Sequence, residues 1–352
     1  LFVLLRSLLT GVTEVFSVLI TVLLAEQFTG NYVPPHSPRH DVLSTNLSAF
    51  SLIATPIAGL FVENKLAWQL GVSVAPVLMI PALVLSVITL RSSKSQVVPH
   101  PLAILKNAIG VFRIPSLTIM LVSMCVDMFY AGPFMFWMIP LRLYAMEAYP
   151  EIFLGLSYTV ITTLTSTVSF IGGLAGSVTV PYLTHKLESG SGVCSCLTPV
   201  ALALPLAYGF SQLIQTLSYL VEILSLTRNF PIFLASFFMS GFIGAGLSLT
   251  IVRIKLAITP ANQRSSAISV NPLVITIACL PSSQIFAAIS DSIRGESTAS
   301  IDHLEALQET FIYTWAIPLA SSVLGFLLLR FYRRDVKKAK EIDAAKEEES
   351  TP

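Results

Sequence analysis

The chain has 352 residues, of which 54% are hydrophobic and 12% are charged, and its formal net charge is +1. A soluble globular chain usually carries about 25% charged residues, so this composition excludes an ordinary soluble domain. The near-neutral charge balance gives no indication of a nucleic-acid partner. The apolar residues occur in runs of about 20 or more, the length that a helix needs to cross a bilayer. We therefore predict an all-α, polytopic membrane protein whose first partner is the lipid bilayer.

About nine apolar segments are long enough for membrane helices, and in lipid the backbone of each must satisfy its own hydrogen bonds. In chain order they cover residues 1–25, 42–62, 68–90, 115–140, 152–183, 197–224, 231–252, 266–289 and 311–331. A basic stretch without acidic residues separates the third segment from the fourth. These boundaries predict a partial N-terminal half at 1–90, a cytoplasmic central linker at 91–114, a C-terminal six-helix bundle at 115–332 and a charged cytoplasmic tail at 333–352.

The positive charges predict the orientation of the segments. If the central linker is cytoplasmic and the segments alternate, most of the 21 Lys and Arg residues fall on the cytoplasmic side. The linker contributes Arg91, Lys94, Lys106 and Arg113, and the tail contributes a basic run between residues 330 and 346. This asymmetry follows the positive-inside rule. For the basic tail, simple anchoring at the membrane surface is preferred over contact with anionic lipid head groups.

Three charged residues lie at predicted membrane depth: Arg6 and Glu14 in the first segment and Asp127 in the fourth. Each such charge costs at least about 2.5–3.5 kcal/mol, so these side chains are expected to face a cavity or a partner. Arg6 and Glu14 are too far apart along one helix to meet directly. The two carboxylates are candidates for a proton relay, and Arg6 for contact with an anionic group. The alternative is a polar interhelical contact that only fixes packing.

Uncharged residues within the segments indicate function less strongly than the charged ones do. Gln212 and Gln215 either line a path or bridge helices, and packing is the preferred interpretation. The G-x-x-x-G spacing of Gly172 and Gly176 indicates a helix that a neighbour approaches closely. Three further glycines in the seventh segment indicate the same: Gly241, Gly244 and Gly246.

Motifs for catalysis, cofactors and metals are missing from the sequence. It contains no Walker A motif and no G-x-S-x-G, which gives no support to an enzyme or to a nucleotide-driven pump on this chain. The five histidines are all predicted in loops, without metal-ligand spacing. We therefore expect no enzymatic activity, no cofactor and no metal site.

Several motifs resemble the Spinster branch of the major facilitator superfamily, a family of lysophospholipid and sphingosine-phosphate transporters. In the first segment, Gly11 and Glu14 follow Arg6 much as a G-x-G-E element follows an arginine in the fourth helix of that family. Thr13 replaces the second glycine of the element, and the loop GNYVPPHSPRHD replaces a short basic turn. Further resemblance lies in the fourth segment and in the connections around the eighth, at Gly132, Trp137, Pro140, Pro260, Arg264, Ser265 and Asp291.

The resemblance implies a twelve-helix transporter of which this chain is a fragment, lacking the first three helices. It implies alternating access around a cavity lined by the first, fourth and seventh segments. Arg6 would meet an anionic head group, Glu14 and Asp127 would exchange protons, and Phe134 and Trp137 would line apolar space. The implied cargo is a lysolipid or sphingolipid-type amphiphile, with or without proton coupling, in late endosomes, lysosomes or the plasma membrane.

Two alternatives stay open beside this interpretation. One keeps the superfamily and changes the cargo to a sugar or a small organic anion. The other is a truncated membrane protein that transports nothing, because an incomplete first half would not close a cavity.

Overall fold

The computed structural model describes residues 109–188 and 202–350, so the predicted residues Arg6 and Glu14 lie outside the described part. Within that part the regular structure is helical. The helices are α1 Pro115–Ala148, α2 Tyr158–Glu188, α3 Ala203–Leu226, α4 Phe230–Ile258, α5 Arg264–Cys279, α6 Ser282–Arg294, α7 Ser300–Tyr313 and α8 Ala316–Ser350, with a 3-10 turn Ala261–Gln263 before α5.

Five stretches of the described residues are helical, long and apolar enough to cross a membrane. They are Pro115–Ala148, Tyr158–Thr184, Phe230–Ile258, Val274–Arg294 and Ser300–Ala345. The helix α3, with 24 residues, is long enough as well. It is not among the five because its serine and glutamine residues and one glutamate lower its hydropathy. The prediction of an all-α, polytopic membrane protein is confirmed for the described residues.

Two predicted segments are interrupted in the structure, and others differ from the observed helices in where they begin or end. The predicted segment at 266–289 is divided at Leu280 and Pro281, because a proline cannot donate the helical hydrogen bond at its position. The sequence pattern predicts a loop for the polar stretch before the last segment, but this stretch forms α7, and α8 begins only at Ala316. His303, predicted in a loop, therefore lies in a helix, where its ring stacks on Tyr144 at 5.0 Å.

Specific side chains cap the helix ends. The Asn229 carboxamide oxygen accepts the Ile232 amide at 3.1 Å, which satisfies one of the free donors at the start of α4. At the start of α1, the Ser116 amide donates to the Asp335 carboxylate of α8 at 2.9 Å. Gly295 ends α6 with φ +66°, a conformation that favours glycine.

The helices pack in a continuous series. α2 packs on α4, α4 on α3, α3 on α8, and α8 on α1, which also contacts α5 and α7. We call the end of the bundle where α1 begins, α4 ends and α8 carries its basic residues the basic end. Buried apolar residues form one cluster toward this end and a second, aromatic cluster toward the opposite end.

Candidate functional site

A group of five rings, the aromatic cluster, joins α1, α3, α6 and α7. Phe134 lies within it and is 1% exposed, with ring centroids 4.9 Å from Tyr219 and 5.4 Å from Phe311. Tyr130 and Phe286 complete the group at comparable separations. Phe134, predicted to line apolar space, is thus enclosed by other rings in the described bundle.

A buried arginine lies about two turns beyond Phe134 along α1. Arg142 is 6% exposed, and its guanidinium donates to the Thr165 hydroxyl of α2 at 2.8 Å and to the Met138 carbonyl at 3.3 Å. The guanidinium carbon lies 5.7 Å from the centre of the Phe237 ring of α4. Arg142 is therefore held by contacts with its own helix and two neighbouring helices, and it presents a fixed positive charge inside the bundle.

A buried carboxylate on α3 provides the opposite charge. Glu222 is 2% exposed and accepts a hydrogen bond from the Ser240 hydroxyl of α4. Gln215, about two turns before it on α3, donates to the same hydroxyl at 3.4 Å. Glu222 and Arg142 are within electrostatic range of each other, but the described residues form no direct ion pair between them within 4.0 Å. We call Arg142, Thr165, Gln215, Glu222 and Ser240 the polar cluster.

Asp127, predicted as a proton-relay residue, is deeply buried on α1. Its side chain is 2% exposed, and its Oδ1 atom has no hydrogen-bond partner among the described residues. The carboxyl lies within electrostatic range of Tyr208 and Tyr219 on α3. Phe134 is seven residues further along α1, about two turns, and so lies on the same side of the helix.

Trp137 occupies the edge of the aromatic cluster. It is half-buried, and its ring meets Phe136 edge-on with centroids 5.2 Å apart. Its Nε1 atom is buried without a hydrogen-bond acceptor in the described part of the chain. The structure thus places three predicted residues, Asp127, Phe134 and Trp137, on one helix, and two of them carry a polar atom without a described partner.

A second polar group, which we call the hydroxyl interface, connects α1, α3 and α8. Ser123 and Ser321 each donate to the other's backbone carbonyl, at 2.9 and 2.8 Å. The Tyr208 hydroxyl donates to Ser123 Oγ at 3.0 Å, and Thr216 Oγ1 donates to the Pro318 carbonyl at 3.1 Å. These groups satisfy one another, so the interface has the character of interhelical packing.

Arg142 and Glu222 are not among the residues that the sequence predicts for the site. The fourth predicted segment ends at residue 140, which assigns Arg142 to an external connection, whereas α1 continues to Ala148. Glu222 lies only two residues before the predicted end of its own segment. The signal that could have found both is the apolar sequence that continues beyond each charge, which keeps the charge within the helix.

The polar cluster combines two opposite buried charges with hydroxyl and amide groups inside a bundle of membrane-spanning length. An ionisable residue in such a position is costly to bury and is therefore a functional candidate. The arrangement can hold an anionic group against Arg142 or move a proton at Glu222. The aromatic cluster beside it offers apolar contact.

Among the comparisons with known proteins, only the one with solved structures gives matches. No family model matches the chain, and no curated protein matches it. Solved structures match, among them one described as a bacterial homolog of the human lysosomal transporter Spinster in an inward-facing and unoccupied conformation. That similarity has a TM-score of 0.45 and 14% sequence identity, and it covers 85% of this chain and 68% of the other.

Proposed function

We propose that the protein is a secondary active transporter that moves a lysolipid or sphingolipid-type amphiphile across the membrane by alternating access. The observation that carries this proposal is the placement of Arg142 and Glu222 inside the bundle, next to the aromatic cluster. A buried ion pair rarely stabilises a fold more than apolar residues of similar size would. Charges kept at this depth, without a direct pair between them, are therefore better explained by a ligand or a proton.

The chemistry of the described interior favours an amphiphile over a sugar. A sugar needs many hydrogen-bonding groups that are free to meet its hydroxyls, because an unpaired polar group is costly in a buried site. In the hydroxyl interface, Ser123, Thr216 and Ser321 already bond to partners on neighbouring helices. The Arg142 guanidinium beside the rings of the aromatic cluster suits a single anionic head and an apolar chain.

Several predicted features belong to this proposal. Residues 115–332 would be the C-terminal half of the transporter, 91–114 its linker and 333–352 its tail. Arg6 would meet the anionic head group, Glu14 and Asp127 would exchange protons, and Phe134 and Trp137 would contact the apolar chain as the two halves move. The compartment would be the late endosome, the lysosome or the plasma membrane.

The test is uptake of labelled lysolipid by proteoliposomes that contain the purified protein. We expect uptake to fall about tenfold in Glu222→Gln, because loss of one specific interaction of about 1.4 kcal/mol changes a rate by that factor. The matched control is Glu305→Gln, the same substitution at an exposed position of α7, which should leave uptake unchanged.

A substrate panel separates this proposal from the two alternatives. Unlabelled lysolipid, a sugar and a small organic anion are offered as competitors at equal concentration. Competition by lysolipid alone supports the proposal. Competition by the organic anion would favour a small-anion transporter, in which Arg142 binds the cargo. Absence of uptake with every substrate, at acidic and neutral pH, would contradict a transport function.

A further inference from the structure

A cavity of about 840 Å³ opens at the basic end of the bundle. It lies between the start of α1, the connection from α4 to α5, and the part of α8 beyond the apolar segment. Ligand sites for small molecules usually measure about 300–1,000 Å³, so the cavity is large enough for a head group and part of a chain. It is separate from the polar cluster, which lies toward the opposite end of α1.

The cavity is lined by three cationic side chains and one anionic side chain: Arg113, Arg334, Lys338 and Asp335. Both carboxylate oxygens of Asp335 are already engaged, one by the Ser116 amide at 2.9 Å and the other by Arg334 Nε at 3.3 Å. Arg113 and Lys338 form no ion pair or hydrogen bond with another described side chain. Two positive charges, from different elements, therefore line the cavity without a direct ion pair to a described side chain.

The remaining lining is mainly apolar. Ile109 and Ile114 before α1 and Ile342 from α8 contribute accessible aliphatic side chains to the same cavity, and the buried Ile258 lies behind them. A site with two cations and an aliphatic wall matches a ligand that has a phosphate group attached to a hydrocarbon chain. A small inorganic anion would leave the aliphatic wall in contact with water.

We propose that this cavity binds a single anionic phospholipid of the surrounding bilayer, with its phosphate between Arg113 and Lys338 and its chain against the isoleucines. The cavity lies where the apolar part of α8 gives way to its basic part, which is the depth of lipid head groups. The predicted orientation puts this end at the cytoplasmic leaflet, whose anionic lipids are attracted by nearby Lys and Arg side chains. This site does not depend on the proposed transport function.

The geometry distinguishes this site from general attraction by a basic tail. Lys337 and Lys340 lie on the same helix and carry the same charge, but they are not part of the cavity lining. Lys337 is 81% exposed and pairs with Glu341 at 3.7 Å. A diffuse attraction would use Arg113, Lys337, Lys338 and Lys340 equally, whereas a site in this cavity would use Arg113 and Lys338 and neither Lys337 nor Lys340.

The experiment measures binding of a fluorescently labelled phosphatidylglycerol to the purified protein in neutral detergent. The double variant Arg113→Gln/Lys338→Gln should weaken binding about tenfold or more, because two phosphate contacts are lost. The control Lys337→Gln/Lys340→Gln removes the same charge and should change binding by less than about twofold. Thermal unfolding of both variants verifies that each remains folded, since all four side chains lie at exposed positions.

Three results would overturn the proposal. Equal loss of binding in the two double variants would mean diffuse attraction by the tail. Equal affinity for labelled phosphatidylcholine would mean that the cavity does not select a negative charge. Inorganic phosphate has no hydrocarbon chain to contact the isoleucines. If it displaced the lipid completely at similar concentration, the chain would contribute nothing to binding and the site would be one for free phosphate.

Discussion

Two contact regions of the bundle hold its helices together in different ways. In the glycine interface, α2 approaches α4 so closely that a Cβ atom on Gly172, Gly176 or Gly241 would overlap a backbone carbonyl of the opposite helix. In the hydroxyl interface, α1, α3 and α8 meet through hydrogen bonds of 2.8–3.1 Å from Ser123, Ser321 and Thr216. The first interface depends on the absence of side chains and the second on their polar atoms.

The two interfaces differ in how well they tolerate a substitution. Lipid chains are as apolar as leucine, so helix association in a membrane depends on close packing and polar contacts. A backbone-to-backbone contact cannot adjust to an added methyl group without separating the helices along their length. A hydrogen bond between side chains is local, and its measured average in a membrane protein is only about 0.6 kcal/mol.

The glycine interface is joined to the polar cluster through α4. Ser240 lies one turn before Gly244 and next to Gly241, and it donates to Glu222 of α3. A displacement of α2 relative to α4 would therefore move the partner of a buried carboxylate. This connection links the glycine interface to the proposed site, so the glycine positions are relevant to the proposed function as well as to stability.

The largest expected effect is at the glycine interface. Gly176→Ala should lower the free energy of unfolding by about 2–3 kcal/mol, because the new methyl group meets the Phe242 backbone and overpacking has costs of this size. Unfolding is measured in detergent by circular dichroism. The control is Gly244→Ala, where an added Cβ has no atom within 4 Å, and it should not lower stability. Equal effects at the two positions would contradict the close-approach interpretation.

A smaller effect is expected at the hydroxyl interface. Ser321→Ala removes the interhelical hydrogen bond to the Ser123 carbonyl and should lower the free energy of unfolding by about 0.6 kcal/mol. Ser248→Ala is the matched control, because among the described residues that hydroxyl bonds only to the Gly244 carbonyl of its own helix, at 2.9 Å. The contrast between the two interfaces fails if Ser321→Ala proves as damaging as Gly176→Ala in the same unfolding assay.

Features that depend on local sequence can be predicted, and features that depend on tertiary neighbours cannot. The spacing of Gly172 and Gly176 correctly predicts a close approach, since i and i+4 positions share one helix face. The same spacing does not reveal that Gly241 faces the other side of that contact while Gly244 faces open space. The identity of a neighbouring helix follows from the whole packing of the bundle, which no single segment determines.

The same limit explains why the sequence predicts only part of the candidate site. Asp127 is conspicuous in the sequence because a carboxylate interrupts an apolar run, and the structure buries it. Arg142 and Glu222 are not conspicuous, because hydropathy marks where an apolar run ends, whereas a helix ends where its backbone loses hydrogen bonds. α1 continues past Arg142 because its C-terminal residues pack against α7 and the turn before α2.

The smallest effect on stability is expected at Asp127. Asp127→Asn keeps the shape of the side chain, and the Oδ1 atom, which stays an oxygen in asparagine, has no described partner to lose. The amide brings a donor that also lacks a described partner, but a neutral amide is less costly to bury than a charged carboxylate, so the two effects oppose each other and the free energy of unfolding should change by less than about 0.5 kcal/mol. If the Asp127 carboxyl takes up and releases a proton during transport, lysolipid uptake should nevertheless fall, because an amide cannot do so. Unchanged uptake together with unchanged stability would remove Asp127 from the proposed pathway and leave Glu222 as its buried acid in the described bundle.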